Sequence, residues 1–293
     1  MKFSGVITAI ITPFRNGQID EPALKQLIDE QFSNGVSGIV PCGTTGESPT
    51  LTYDEHHRVV ELAVKFAAGR GHVVAGTGSN SAAEAIELTQ AAEKAGATAS
   101  LQVSPYYNRP SQEGLYQHFK AIAKSTELLI ILYNIPGRCG VDIAVETTTR
   151  LVADCPNIVG MKEASGSPER VSQLIAACGP NFDVMSGDDG LTLPFMSVGA
   201  TGVISVASNL IPGPMSQLVA KALAGDFVGA RKLHQQYFPL LAAFLKLDVN
   251  PVPIKTAMSL RGLCTPEMRL PLVPMPDAKI VELRTILQSL AIL

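Results

Sequence analysis

Short apolar, β-branched runs alternate with amphipathic segments from Gly5 to about Leu223. The runs begin near Gly5 (GVITAII), Ser37 (SGIVPC), His72 (HVVAG), Thr98 (TASLQV), Leu128 (LLIILY), Asn157 (NIVGMK), Phe182 (FDVMS) and Thr201 (TGVISV). Near-continuous apolar strands suit a sheet buried on both faces, with the intervening helices covering its outer side. Helix starts are well marked. Thr52-Tyr53-Asp54-Glu55 and Ser81-Ala82-Ala83-Glu84 both fit a capping box, and Ser167-Pro168 sets an N-cap residue before a first-turn proline. In the third helix Ala85, Leu88, Ala92 and Ala95 recur at steps of three and four, which gives one small-residue face to lie on the sheet.

Eight such β/α units close naturally into a (β/α)₈ TIM barrel; a doubly wound open sheet is the alternative that the same alternation serves. After Gly225 the strand signals stop. From Val228 the chain reads as helical, with breaks at Pro251, Pro253, Pro266, Pro271, Pro274 and Pro276. The expected organisation is a catalytic barrel over residues 1–225 and a helical C-terminal appendage, 226–293, packed on it without a long linker.

Composition narrows the class of function. Of the 293 residues only 17% are charged, against a usual share of about 25%, and this points toward surface hidden in an oligomer. A net charge of −3 without a Lys/Arg-rich run leaves no electrostatic footprint for nucleic acid or anionic lipid. The longest apolar runs, such as 128–132, fall far short of the roughly 20 residues of a membrane helix, and the N-terminus reads as a first strand rather than a leader. Cys42, Cys139, Cys155, Cys178 and Cys264 are odd in number and show no C-x-x-C spacing, so reduced, mostly buried thiols in a cytoplasmic protein are expected.

In a barrel of this kind the chemistry belongs where the strands end. Strand two runs into Cys42-Gly43-Thr44-Thr45-Gly46-Glu47, strand four into Pro105-Tyr106-Tyr107-Asn108, and strand five into Tyr133-Asn134 before Pro136-Gly137-Arg138. Strand six ends in Lys162-Glu163 and strand seven in Ser186-Gly187-Asp188-Asp189. Lys162 is the sharpest candidate. A lysine in the barrel mouth is costly unless paired or neutral, and a depressed pKa supplies the free amine for a Schiff base with a ketone. The structural alternative pairs it with Glu163 or Asp188. Tyr133 is either a general acid/base or a packed aromatic. Thr44 and Thr45 either present donors to a small carboxylate or merely form a Gly-flanked turn. Arg138 suits a bidentate hold on a carboxylate, yet most loop arginines are solvated.

Other motifs fail. Gly76-Thr77-Gly78-Ser79-Asn80-Ser81 lacks the third glycine of a dinucleotide fingerprint, and the P-loop pattern does not occur. Gly46-Glu47-Ser48-Pro49-Thr50 misses the nucleophile elbow at its last position. Asp54-Glu55-His56-His57 looks metal-like, but adjacent histidines point to different helix faces, and the stretch reads as a solvated helix start.

Together the strand-end residues resemble the 4-hydroxy-tetrahydrodipicolinate (dihydrodipicolinate) synthase family, within the N-acetylneuraminate lyase superfamily, over essentially the whole chain. The resemblance lies in Gly43-Thr44-Thr45-Gly46-Glu47-Ser48, Pro105-Tyr106-Tyr107-Asn108-Arg109-Pro110, Gln112-Glu113-Gly114 and Tyr133-Asn134-Ile135-Pro136-Gly137-Arg138. It continues in order through Gly160-Met161-Lys162-Glu163-Ala164, Ser186-Gly187-Asp188-Asp189, Gly202-Val203-Ile204-Ser205 and Asn250-Pro251-Val252-Pro253-Ile254-Lys255.

The resemblance implies condensation of pyruvate with L-aspartate 4-semialdehyde in the diaminopimelate route to lysine, without metal or organic cofactor. It implies that Lys162 forms the Schiff base and that Tyr133, Thr44 and Tyr107 relay protons, with Tyr107 reaching in from a neighbouring subunit. Thr45 and the Ile204 backbone would hold pyruvate, Gly187 would line the pocket, and Arg138 would take the semialdehyde's carboxylate. That arginine separates synthases from the sialate and sugar-acid aldolases; a non-catalytic keto-acid-binding barrel is the reading from another class. The family is usually a homotetramer, a dimer of dimers. Its lysine allosteric site matches Ser48, His56, Asn80, Glu84 and Tyr106, but Pro49 stands where a small residue is common and Tyr53 where a histidine is. Those departures predict weak feedback by lysine.

Overall fold

The computed structural model describes residues 3–293. Eight parallel strands form a closed barrel: β1 (Gly5–Ala9), β2 (Gly38–Val40), β3 (His72–Gly76), β4 (Ala99–Val103), β5 (Leu129–Asn134), β6 (Ile158–Glu163), β7 (Asp183–Ser186) and β8 (Gly202–Ser205). β1 closes the ring, pairing with β8 (Ile7 opposite Ile204) and with β2 (Thr8 opposite Ile39). The open-sheet alternative is thereby excluded, and each expected strand lies where its apolar run does.

Inward residues such as Ile7, Val40, Val74, Leu101, Ile131, Met185 and Ile204 fill the barrel. Their neighbours along the strands, Val6, Ile39, Val73, Ile130 and Val184, pack under the surrounding helices. This two-sided burial explains why the strands read as continuous apolar runs.

The helices on the outside are α1 (Glu21–Ser33), α2 (Tyr53–Ala67), α3 (Ala82–Ala95), α4 (Gln112–Ala123), a short α5 (Pro136–Cys139), α6 (Val145–Asp154), α7 (Pro168–Cys178), α8 (Thr192–Ser197) and α9 (Pro212–Leu223). Thr52 and Glu55 form the full capping box on α2. At α3 only half of the expected box forms. Ser81 accepts from the Glu84 amide, while the Glu84 carboxylate takes the Ser79 hydroxyl instead, at 2.6 Å. Ser167 caps α7 ahead of Pro168. A hairpin that the periodicity did not signal joins Phe14–Arg15 to Gln18–Ile19. Asn16 and Gly17 both adopt positive φ at its tip, the geometry that an Asn-Gly pair favours in a two-residue hairpin turn.

The C-terminal region is helical: α10 (Phe227–Lys246), α11 (Val252–Leu260) and α12 (Asp277–Ser289). Pro253 lies in the first turn of α11, where a missing N–H costs nothing, so it starts that helix rather than breaking it. Pro239 is accommodated inside α10. Leu240, Leu241 and Phe244 of α10, Ile254 and Met258 of α11, and Leu283 and Leu287 of α12 share one core with the barrel's outer face.

Candidate active site at the barrel mouth

A register shift in β6 decides which way the lysine points. Ile130 pairs with Ile158, but Ile131 pairs with Gly160, so β6 carries one extra residue against β5. Ile158 packs outward beneath the helices, Val159 packs inward, and Met161 is outward again. Unbroken alternation from Ile158 would have sent Lys162 outward; the extra residue reverses the parity. Lys162 consequently faces the barrel and Glu163 faces the helices.

Glu163, fully buried, is held by Arg170 Nε at 2.8 Å and by Asn134 Nδ2 at 3.1 Å. It is therefore engaged elsewhere, and Asp188 accepts from the Gly190 amide at 2.8 Å. Lys162 forms no ion pair among the described residues, so the pairing alternative does not hold. Its side chain is only 6% exposed, and its Nζ stands 4.3 Å from the centre of the Tyr133 ring. Burial pushes the amine down to about 8; the charge of Asp189 opposes this, and the Arg138 guanidinium adds to it. Burial likewise pushes the Tyr133 phenol up, with Arg138 opposing.

A cavity of about 480 Å³ opens over this pair, lined by Thr44, Thr45, Tyr133, Arg138, Lys162 and Gly187 among others. Thr44 and Thr45 crown a tight turn in which the amides of Gly46 and Glu47 donate to the carbonyls of Gly43 and Thr44. Cys42 and Glu47, at either side of that turn, both take left-handed backbone at φ 55°. Gly187 has a steric reason. A Cβ there would stand 2.8 Å from the Ala164 Cβ and 3.2 Å from the Lys162 Cε, so any side chain would displace the lysine stem. Arg138, in the short helix α5, is exposed at the rim and makes no ion pair among the described residues. It is placed to meet an incoming anion.

Three candidates do not line the cavity. Ile204 is buried in the barrel interior on β8. Asn80 donates its Nδ2 to the Tyr106 carbonyl at 3.2 Å. Tyr107 is 91% exposed at φ 70° and does not line the cavity that Tyr133 and Thr44 share.

Ser48, His56, Glu84 and Tyr106 line the same cavity. His56 corrects the reading of Asp54–His57 as a solvated helix start: it is buried, and its Nε2 lies 2.9 Å from the Gly76 carbonyl oxygen. Its neighbour Glu55 also leaves solvent partly, held by Arg269.

The sequence reading assigned no role to Lys255, Glu47 or Asn250, although all three fall within its quoted motifs. Lys255 is a second fully buried lysine, but its Nζ pairs with Glu47 Oε1 at 2.5 Å and donates to the Thr12 carbonyl at 3.1 Å. That partner distinguishes it from Lys162. Asn250 donates its Nδ2 to Thr45 Oγ1 at 3.0 Å.

The family model described as the dihydrodipicolinate synthetase family matches residues 2–290. The chain belongs to the dihydrodipicolinate synthetase family. Among its curated relatives is a 4-hydroxy-tetrahydrodipicolinate synthase of Sulfurihydrogenibium, 52% identical over 98% of both chains. The solved 4-hydroxy-tetrahydrodipicolinate synthase of Methylacidiphilum fumariolicum SolV superposes with a TM-score of 0.98 at 56% identity, covering 99% of this chain and 96% of that one. A third member, the dihydrodipicolinate synthase of Acinetobacter baumannii solved in complex with pyruvate, is 43% identical over the full length of both chains, with a TM-score of 0.97.

Proposed function

We propose that this chain condenses pyruvate with L-aspartate 4-semialdehyde through a Schiff base on Lys162, giving 4-hydroxy-tetrahydrodipicolinate in lysine biosynthesis. The observation that carries the reading is a buried lysine with a depressed pKa, beside a buried tyrosine, under a cavity with an arginine at its rim, neither cation being in an ion pair among the described residues. Family membership and the relatives' activity point the same way.

In this reading the neutral Lys162 amine adds to the keto carbon of pyruvate and, with a proton supplied by the relay of Tyr133 and Thr44, water leaves to form a protonated imine. The imine acidifies the neighbouring methyl group, whose proton passes to the relay of Tyr133 and Thr44, leaving an enamine. The enamine carbon bonds to the aldehyde carbon of the semialdehyde, and the resulting alkoxide takes a proton back from the relay. The semialdehyde's own amine then attacks the imine carbon, closes the ring and releases Lys162. Thr45, which lines the cavity, holds the pyruvate carboxylate, and Arg138 holds that of the semialdehyde; Ile204, which does not line it, is left without a contact to pyruvate.

The exposure of Tyr107 supports assembly as at least a dimer, with this phenol completing the relay of a second copy; a tetramer built of such dimers is part of the proposal. Residues 1–225 carry the chemistry, and 226–293 wall the cavity through Leu245 and Asn250. No described helix is long and apolar enough to cross a membrane, and five free cysteines, four of them buried, support a reducing, cytoplasmic setting.

Pyruvate with borohydride should inactivate the protein and leave a reduced pyruvyl group on Lys162 by mass mapping, and Lys162→Ala should abolish both while remaining folded. An adduct on Lys255, or none, refutes the assignment. Cleavage of N-acetylneuraminate faster than condensation of the semialdehyde would replace the synthase reading with the aldolase one.

A further inference from the structure

The C-terminal helical region reaches the cavity through Leu245 and Asn250, and only the second brings a polar group. Asn250 stands between α10 and α11, with its Nδ2 donating to Thr45 Oγ1 at 3.0 Å. Its Oδ1 is buried without a partner among the described residues, a feature that packing alone does not explain.

A threonine hydroxyl has one proton to give and two lone pairs to receive. Thr45 is almost wholly buried, so its hydroxyl has few directions available. When Asn250 occupies a lone pair, the proton is left to be donated elsewhere, and Thr45 faces the cavity. We propose that Asn250 is a positioning residue: by donating to Thr45 it aims that hydroxyl proton at the carboxylate of the bound keto acid. The inference rests on the pyruvate reading of the cavity.

The surrounding bonds make this a rigid mount rather than a passing contact. Five residues after Asn250, Lys255 grips Glu47 of the same turn at 2.5 Å, and the Arg269 amide donates to the other Glu47 oxygen at 3.1 Å. On the barrel side the Thr12 hydroxyl donates to the Gly46 carbonyl at 2.7 Å. The Thr44–Glu47 turn is therefore fixed from the C-terminal region at two points and from β1's end at a third. A carboxylate held by a fixed hydroxyl needs no reorganisation on binding, which is how remote residues lower a KM.

The test sets Asn250→Ala, Asn250→Asp, Thr45→Val and the Asn250→Ala/Thr45→Val double variant beside the unaltered enzyme, all assayed at pH 7. Asn250→Ala should raise the KM for pyruvate about tenfold, with kcat and the semialdehyde KM changed far less. The double variant should bind pyruvate no worse than Thr45→Val alone, because the asparagine acts through that hydroxyl. Asn250→Asp separates donor from acceptor: nearly isosteric, it takes the Thr45 proton for itself and should raise the pyruvate KM further, by about a hundredfold.

An Asn250→Asp enzyme with unaltered pyruvate KM, or single-variant effects that multiply in the double variant, overturns the proposal. Should Asn250→Ala fail to fold, the aspartate variant decides alone. Borohydride trapping of pyruvate on Lys162 of the unaltered enzyme is the control. If it fails, the pyruvate reading and this inference both fall; if it succeeds while the variants behave as wild type, only the inference does.

Discussion

Lys162, the proposed nucleophile, is buried, and its surroundings set how much free amine it offers near neutral pH. An amine pushed down to about 8 from the ordinary 10.5 is neutral in roughly a tenth of the molecules at pH 7, against roughly one in three thousand for a free lysine. The site thus holds about 300 times more reactive amine than an exposed lysine would. Only the neutral amine attacks the keto carbon, so raising the pH from 6 should speed imine formation close to tenfold per unit, levelling through pH 8. The Tyr133 phenol is pushed upward, so its ionisation does not intrude on this range. The assay mixes enzyme with sub-saturating pyruvate for short intervals across pH 6 to 10, quenches with borohydride, and counts the Lys162 adduct by mass. Arg138→Ala should move the inflection upward, since its guanidinium also disfavours the ammonium form. That change should be the smaller, because Arg138 sits exposed at the rim where water screens it. A rate that is flat across neutral pH, or still climbing at pH 10, would show that the amine is not the buried, depressed group this geometry describes.

Arg138→Ala should also raise the KM for the semialdehyde roughly ten- to a hundred-fold, the loss of a charge-assisted contact of about 1.5–3 kcal/mol, while pyruvate trapping survives. An unchanged KM in steady-state kinetics refutes its role. Glu47→Gln strands the fully buried Lys255 ammonium and should cost about 3–5 kcal/mol in urea unfolding. A loss below about 1 kcal/mol would mean that Lys255 simply sheds its proton, the direction in which burial already pushes it. L-lysine should inhibit weakly or not at all. Pro49 restricts the loop beside Ser48, Tyr53 lines the cavity where an imidazole is common, and Glu84 already accepts from the Ser79 hydroxyl. Tight, cooperative inhibition of initial rates at sub-millimolar lysine would contradict this.

The apolar runs specified eight strands covered by helices, because a strand buried on both faces must be apolar at every position, but only the pairing of β1 with β8 decided for a closed barrel over an open sheet. The candidates at the strand ends were legible as well: Thr44, Thr45, Tyr133, Arg138, Lys162 and Gly187 stand at or just after the ends of the runs, and they line one cavity. What local pattern did not determine was direction and partnership. Strict alternation along β6 would have faced Lys162 toward the helices, and only its pairing with β5, one residue longer on the β6 side, turns the amine inward. His56 read as part of a solvated helix start because adjacent histidines point to different helix faces, yet the packing of α2 against β3 buries it on Gly76. Glu47 and Lys255 lie more than two hundred positions apart, as do Thr45 and Asn250, and no periodicity links such residues. They meet because the C-terminal helices fold back over the mouth of the barrel, so the identity of the groups belongs to the sequence and their pairing to the closed tertiary structure.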